Sequence, residues 1–142
     1  MSVGEVSQFV DANVLIYAHD LTAGTKRERA RALVADLWRS ELGCVSVQVL
    51  QEFYVNVTRK LAAPLSPDAA AKVIADLAAW QVHQPTADDI LDAIRLQTRH
   101  KISFWDAMVI ASAQALRCGI IWSEDLNHGQ RYDTVTVRNP FI

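Results

Sequence analysis

Short apolar runs alternate along the chain with longer segments whose apolar residues recur every three to four positions. The short runs predict buried strands at 7–10, 44–46, 82–84, 120–122 and 134–138. The longer segments predict helices at 14–18, 25–41, 47–60, 66–80, 86–99 and 103–118, the last of them ended by Gly119. Short apolar strands separated by helices are typical of a parallel sheet covered on both faces. We therefore predict an α/β fold, formed by a single domain over residues 1–142.

Local signals mark the starts of three of these helices. Thr25 and Glu28 have the spacing of a capping box, in which a hydroxyl and a carboxylate each accept from the other residue's backbone amide. Ser66 precedes a proline at the first helical position, where the missing N–H costs nothing. Ser103 and Asp106 again have capping-box spacing, with Asp in place of Glu or Gln. The helix that follows Thr25 is predicted to bury one face, formed by Ala30, Leu33, Val34, Leu37 and Trp38.

The composition is that of a folded chain with a substantial core. The 142 residues are 51% hydrophobic, and no apolar run is long enough to span a membrane. The first six residues lack the basic and apolar regions of a signal peptide, so we expect a cytoplasmic protein. Cys44 and Cys118 form no metal-ligand pair, and both are expected to be buried thiols rather than a disulfide.

The net charge of the chain does not indicate a nucleic-acid partner. The chain carries 14 basic and 16 acidic side chains, which give a net charge of −2. A broadly basic surface is therefore excluded, and any contact with nucleic acid must come from local groups.

Four carboxylates lie where predicted strands end or predicted helices begin. Asp11 follows the strand at 7–10, Asp125 follows the strand at 120–122, and Glu52 and Asp106 lie early in helices. In an open parallel sheet, ligands bind beyond the carboxyl ends of the strands, so all four acids can face one crevice. Each acid taken alone has an ordinary alternative explanation. Asp11 and Asp106 could cap helices, and Glu52 and Asp125 could be solvated.

Clustered carboxylates are suited to a hard divalent cation. Mg²⁺ prefers carboxylate oxygens and water, and such an ion can activate water and stabilise charge during phosphodiester hydrolysis. Zinc is not expected, because the histidines are scattered without ligand spacing at positions 19, 83, 100 and 128. The sequence therefore predicts that Asp11 and Asp106 hold a metal ion. Glu52 and Asp125 would bind a second ion or orient water.

Four short segments resemble the four motifs of PIN-domain nucleases, in the same order and with similar spacing. They are 9–18 (FVDANVLIYA), 51–53 (QEF), 104–111 (FWDAMVIA) and 123–126 (SEDL). The resemblance extends over residues 7–140. Most PIN proteins of this length are VapC-type toxins, the ribonuclease half of a bacterial or archaeal toxin–antitoxin pair.

The resemblance implies a three-layer α/β/α sandwich and an endoribonuclease that depends on Mg²⁺ or Mn²⁺. It also implies a homodimer and a protein antitoxin. By position, the three core acids of the family are Asp11, Glu52 and Asp106, and Asp125 is the fourth. Ser123 matches a small hydroxyl residue and Asn13 a polar residue, and both are predicted to hydrogen-bond the acids as a second shell. Glu124 is also acidic, and Asp125 is preferred because of its distance from Ser123.

Contacts to RNA are predicted at local basic groups. The candidates are Lys26 and Arg27 at one helix start, and Arg99, His100 and Lys101 just before the Asp106 motif. A base could stack on one of the aromatic side chains near the motifs, although core packing is the alternative for each: Tyr17, Phe104 and Trp105.

The sequence fits a phosphatase less well than a nuclease. A phosphatase of the haloacid-dehalogenase type would need an acid two positions after Asp11, where the chain has Asn13. The alternative that remains is a non-catalytic PIN-like module that binds RNA or protein. An antitoxin would be expected to lay an apolar segment over surface helices and to place a basic side chain among the acids. The toxin residues expected to contribute are among Leu37, Trp38, Phe53, Tyr54 and Val57, with a role in the core as the alternative for each.

Overall fold

A six-stranded sheet forms the centre of the structure, a computed structural model that describes residues 5–142. Its order is β3-β2-β1-β4-β6-β5, and every neighbouring pair is parallel except β5 and β6. The prediction of a mainly parallel sheet is therefore confirmed. The strands are β1 (Gln8–Val10), β2 (Gly43–Ser46), β3 (Gln81–His83), β4 (Ile120–Trp122), β5 (Arg131–Tyr132) and β6 (Val135–Arg138).

Six helices cover the sheet on both faces. The chain steps outward from β1 to β2 and β3, then returns to place β4 on the other side of β1. Because parallel crossovers are right-handed, this reversal puts the later helices on the opposite face. The first four helices pack among themselves, and the last two pack on each other, as predicted for an α/β/α sandwich. The helices are α1 (Ala12–Ala18), α2 (Thr25–Ser40), α3 (Val47–Arg59), α4 (Pro67–Leu77), α5 (Ala87–His100) and α6 (Phe104–Ala115).

The core runs through the middle strands and through α6. Strands β1 and β2 are buried along their whole length, and α6 is buried from Ala107 to Ala113. Leu37, Phe53 and Val57 are core residues, so the alternative of a core role is confirmed for these three and a contribution to a partner surface is not. Trp38 is 41% exposed and packs on Trp80 in a T-shaped arrangement, so it is only partly a core residue.

Several element ends differ from the predictions. Strand β5 was missed because its two residues are too few to show an alternating pattern. Gly24, with a φ of 61°, is the N-cap of α2, so the capping box predicted for Thr25 and Glu28 is wrong. Helix α4 ends at Leu77 and not near residue 80. Helix α6 ends at Ala115, before Gly119, because the chain turns through Arg117 with a φ of 57°.

Both cysteines are free thiols, as expected from the sequence. Cys44 and Cys118 are buried and free, and their hydrogen bond together with burial raises the pKa of the Cys118 thiol. Across residues 5–142, no helix combines the length and the hydropathy needed to cross a membrane. The expectation about a signal peptide rests partly on residues 1–4, which lie outside the described residues.

Candidate active site

Asp11 lies at the point where the strand order of the sheet reverses, between β1 and β4. It directly follows β1, and its backbone N–H donates to the carbonyl oxygen of Trp122 at the end of β4 (3.0 Å). Open α/β sheets bind ligands in the crevice beyond the carboxyl ends of two such neighbouring strands, whose connections lead to opposite faces of the sheet. Asp11 is also the N-cap of α1, because its Oδ1 accepts from the N–H of Ala12 (2.8 Å). Capping and a position in the crevice therefore coexist in one carboxylate, which is only 5% exposed.

A hydrogen-bond network connects Asp11 with the segment after β4. The hydroxyl of Ser123 donates to Asp11 Oδ2 (2.8 Å) and accepts from the N–H of Asp125 (3.1 Å). The amide nitrogen of Asn13 lies 3.3 Å from Asp11 Oδ2 and 3.1 Å from Asp125 Oδ2. The carbonyl oxygen of the same amide accepts from the N–H of Glu124 (3.2 Å). The structure thus joins Asp11, Asn13, Ser123 and Asp125, which are distant in sequence.

The charge of Asp11 is strongly affected by its surroundings. Burial raises the pKa of the Asp11 carboxyl to about 6, although hydrogen bonds from Ser123 and Ala12 oppose the shift. The charges of Glu52 and Asp125 raise it further. Asp11 is therefore a buried acid that lies in the field of two other carboxylates.

Glu52 is positioned by α3, which begins where β2 ends. Ser46 caps this helix by accepting from the N–H of Val49 (3.2 Å). One turn before Glu52, the amide nitrogen of Gln48 donates to Glu52 Oε1 (3.1 Å) and contacts the carbonyl oxygen of Trp105 (3.4 Å). Gln48 therefore connects the acid on α3 with the first turn of α6.

Asp106 lies in that first turn of α6. Its backbone N–H donates to the hydroxyl of Ser103 (3.0 Å), which is one half of the predicted capping box. Within the described part of the chain, α5 completes both halves of such a box with Thr86 and Asp89, and α6 does not. Burial and the charge of Asp106 raise the pKa of the Tyr132 hydroxyl. Asp106 is half-buried, and its carboxylate is not part of the Asp11 network.

The acids fit a hard cation by chemistry but do not form a complete set of ligands. Among residues 5–142, no three His, Cys, Asp or Glu side chains lie close enough together to hold a metal ion. The candidate metal ligands are carboxylate oxygens, which Mg²⁺ and Mn²⁺ prefer. Glu52 and Asp106 are half-buried and Asp125 is exposed, so rotation of these side chains could complete a site around Asp11.

The basic residues proposed to contact RNA have different surroundings. Lys26 Nζ lies 2.5 Å from Glu124 Oε2 and 4.9 Å from the centre of the Tyr17 ring. Arg27 lines an apolar cleft, where its buried Nε has no hydrogen-bond partner. His100 packs edge-on against Tyr132. The remaining two candidates, Arg99 and Lys101, are exposed.

Sequence reasoning missed the surroundings of Glu124. Its carboxylate accepts from the Tyr17 hydroxyl (2.7 Å) as well as from Lys26. Burial opposes ionisation of Glu124, but these two hydrogen bonds outweigh it and lower the pKa of the carboxyl. Lys26 and Glu124 are 98 positions apart, so no local pattern could have revealed the pair. Gln48 was missed too, although its spacing of four from Glu52 on a helix is a usable signal.

A second polar cluster resembles a catalytic triad but is inaccessible. His83 Nδ1 lies 2.8 Å from the Ser112 hydroxyl, and His83 Nε2 lies 3.1 Å from Asp89 Oδ2. Ser112 is fully buried, so no substrate can reach its hydroxyl. The cluster joins β3 to α5 and α6 and has a structural role.

Comparison with solved structures identifies several toxins of the same architecture. VapC20 from Mycobacterium tuberculosis, described as a Sarcin-Ricin loop cleaving toxin, is 23% identical with a TM-score of 0.66, over 82% of this chain and 88% of that chain. A toxin–antitoxin complex from Klebsiella pneumoniae is 19% identical with a TM-score of 0.69, over 95% and 98%. DNA-bound VapBC from Salmonella typhimurium is 16% identical with a TM-score of 0.61, over 95% and 98%.

At these identities the similarity shows a shared fold. No curated protein sequence matches the chain. The model of the PIN domain family matches residues 9–133, which include all four candidate acids. The chain therefore belongs to the PIN domain family.

Proposed function

We propose that the protein is a metal-dependent endoribonuclease and the toxin of a type II toxin–antitoxin pair. The observation that carries the proposal is the buried Asp11 carboxyl, whose pKa is raised to about 6 by burial and by two neighbouring acids. Capping of α1 does not require a buried charge, and burial of the charged form is destabilising without a compensating cation. A cation bound there would offset the repulsion between the acids. Perturbed acids in a crevice are typical of functional sites.

Each acid has a proposed role. Asp11 and Asp106 would hold Mg²⁺ or Mn²⁺ directly, and Glu52 and Asp125 would hold a second ion or orient water. When bound, the ion would supply an activated water and stabilise charge on the phosphate oxygens. Ser123 and Asn13 keep the carboxylates of Asp11 and Asp125 in fixed positions through the hydrogen bonds described above.

RNA would approach the crevice past the exposed side chains of Arg99 and Lys101, which precede α6. Since cellular RNA is translated and turned over in the cytoplasm, we propose that compartment as the site of action. A homodimer is also proposed, because α5 leaves three apolar side chains about half exposed: Ile90, Leu91 and Ile94.

Cleavage of RNA by the purified protein tests the proposal. We expect cleavage with Mg²⁺ or Mn²⁺, and we expect EDTA to abolish it. In cells, induction of the protein should arrest growth, and co-expression of a small neighbouring open reading frame should restore it. RNA binding without cleavage in any divalent ion would contradict the proposal and favour the non-catalytic module.

The antitoxin is proposed to occupy a cleft of about 920 Å³ between α1, α2 and α4. Most of its lining is apolar, and the guanidinium groups of Arg27 and Arg31 lie at its wall. The cleft therefore suits an apolar segment that carries a carboxylate, because two cationic side chains, Arg27 and Arg31, line it. Antitoxin partners are named in the descriptions of structurally similar complexes, which supports a partner of this kind.

A charge placed in the cleft should prevent antitoxin binding while leaving cleavage intact. Ala35 lines the cleft on the exposed side of α2, one turn after Arg31, so Ala35→Glu gives Arg31 a partner within the chain and places a negative charge in the proposed interface. We expect antitoxin affinity, measured by calorimetry, to fall at least about tenfold, since the carboxylate of the antitoxin would lose its partner and meet a like charge. Ala71→Glu, an exposed helical position outside the cleft, is the control. Equal affinity in the two variants would place the antitoxin elsewhere.

A further inference from the structure

Trp105 is the most exposed of the four tryptophans. Its exposed fraction is 63%, compared with 41% for Trp38 and 9% for Trp80, and Trp122 is only partly exposed. A single exposed apolar side chain is common on protein surfaces and by itself indicates nothing. The exposure of Trp105 is informative because of where this residue lies in the fold.

Trp105 lies at the rim of the candidate active site. It occupies the first turn of α6 and directly precedes Asp106. Its carbonyl oxygen contacts the Gln48 amide that also donates to Glu52, and the charge of Glu52 acts on Asp11. The backbone of Trp105 is therefore joined through Gln48 to Glu52, one of the acids proposed to hold the metal ion.

One neighbouring ring contacts the indole. The ring of Phe104 meets it at 5.2 Å between centroids in a T-shaped arrangement, and Phe104 is half-buried against the core. The backbone of the same turn is capped by the hydroxyl of Ser103, which accepts from the N–H of Asp106. Because an indole has only two side-chain torsions, it loses little conformational freedom when a flat ligand stacks on it.

We infer that Trp105 is the stacking platform for an unpaired base of the RNA substrate, next to the phosphate that is cleaved. This inference rests on the proposed function and narrows its substrate class. Bases within a duplex are stacked and paired, so their faces are not available to an indole. The substrate would therefore be single-stranded RNA or an unpaired loop.

The negative net charge limits the electrostatic attraction of RNA, so base stacking would supply part of the affinity. The net charge is −2, and the Lys26 ammonium near the site is already paired with Glu124. Phosphate contacts alone therefore provide limited attraction for RNA. Stacking on an aromatic side chain adds roughly 5- to 150-fold in affinity per base and tolerates any base sequence.

Binding measurements with and without bases test the inference. The probes are a fluorescein-labelled oligoadenylate decamer and an abasic decamer with the same backbone charge. Fluorescence anisotropy is measured in Ca²⁺, which takes the same kind of oxygen ligands as Mg²⁺. The variants are Trp105→Ala, Trp105→Tyr and, as a control at another exposed apolar side chain, Ile142→Ala. Cleavage of a hairpin RNA is compared in Mg²⁺ with its loop open and with its loop annealed to a complementary strand.

We expect the wild-type protein to bind the oligoadenylate at least about fivefold more tightly than the abasic decamer. Trp105→Ala should abolish that difference, whereas Trp105→Tyr and Ile142→Ala should retain it. Cleavage should require the open loop and should fall with Trp105→Ala. A base-dependent difference that survives in Trp105→Ala would overturn the inference. So would a Trp105→Ala protein that loses only its antitoxin.

The two proposals can fail separately in this design. In one outcome the wild-type protein cleaves no RNA but shows base-dependent binding, and Trp105→Ala abolishes that binding. Hydrolysis is then contradicted and the stacking site is supported. If cleavage is normal in Trp105→Ala and its preference for the open loop persists, hydrolysis is supported and the stacking site is contradicted.

Discussion

The variant Asp11→Asn is expected to lose RNA cleavage and, without metal ions, to be more stable than the wild-type protein. Loss of activity follows from the proposed role of Asp11 as a metal ligand. A bound ion contributes several kcal/mol to stabilisation of the transition state, so the rate should fall by roughly 10³-fold or more. Opposite effects on activity and stability are the signature of a buried charge that is kept for function.

The gain in stability depends on pH in a defined direction. The pKa of Asp11 is raised from 3.8 to about 6, so the folded state binds its proton more tightly than the unfolded state does. The unfolding free energy therefore falls as pH rises from about 4 to about 6 and stays lower above that range. Two pKa units correspond to about 3 kcal/mol. Asparagine removes this cost but loses part of the carboxylate's accepting capacity, so we expect a net gain of about 1–3 kcal/mol.

Urea unfolding in EDTA at pH 7.5 and at pH 4 measures this effect. Asp11→Asn should be more stable than wild type at pH 7.5, and the difference should vanish or reverse at pH 4, where Asp11 is protonated in the folded state. Addition of Mg²⁺ should stabilise the wild-type protein only. Asp68→Asn, an exposed acid in the first turn of α4, serves as the control. A less stable Asp11→Asn protein at pH 7.5 would show that capping of α1 is the dominant role.

Much of this fold could be predicted from the sequence because its middle strands, β1, β2 and β4, are buried on both faces. A strand such as Ile120–Trp122 is then a plain apolar run between helices, and local pattern suffices to find it. Arg131 and Tyr132 were missed because they pair only with β6, a long-range contact that two residues cannot signal. Helix ends were less predictable for a similar reason. Arg117 turns the chain in the left-handed conformation, which the sequence does not mark as it would mark a glycine.

The candidate site was only partly predictable. Asp11 and Asp125 were placed correctly at strand ends because the carboxyl ends of parallel strands share one edge of the sheet. Whether side chains of different elements meet depends on packing and rotamers, which a single sequence does not specify. The network of Asp11 with Ser123 could be anticipated from the order of the motifs. The pairing of Lys26 with Glu124 could not, and it changes the role expected for both residues.

Substitution of Glu124 is expected to slow cleavage without weakening metal binding. Its carboxylate accepts from Tyr17 on α1 and Lys26 on α2, and its backbone N–H donates to Asn13. Both side-chain oxygens are thus engaged, so Glu124 is not available as a ligand. Its contacts fix the segment between Ser123 and Asp125 against two helices. We propose that Glu124 is a positioning residue, and that Asp125 alone is the fourth acid.

The energetic contribution of this pair to stability is small. The side chain of Lys26 is 43% exposed and that of Glu124 is 24% exposed, so solvent screens their attraction. Such a pair contributes little to the free energy of unfolding. Without Glu124 the Tyr17 hydroxyl also loses its acceptor, which costs ~1 kcal/mol. A large effect of Glu124→Ala on cleavage would therefore act through the position of Asp125 and not through global stability.

Kinetics of Glu124→Ala and Glu124→Gln separate positioning from metal ligation. We expect Glu124→Ala to lower kcat by roughly 10- to 100-fold, because displacement of a catalytic group by about 1 Å costs on that order. KM and the Mg²⁺ concentration for half-maximal activity should change little. Glu124→Gln retains an oxygen that accepts from Tyr17, so it should recover most of the activity. Asp125→Asn is the contrasting variant, with a large increase in the Mg²⁺ requirement. If Glu124→Gln showed that same increase, Glu124 would be a metal ligand and the assignment of Asp125 would have to be shared.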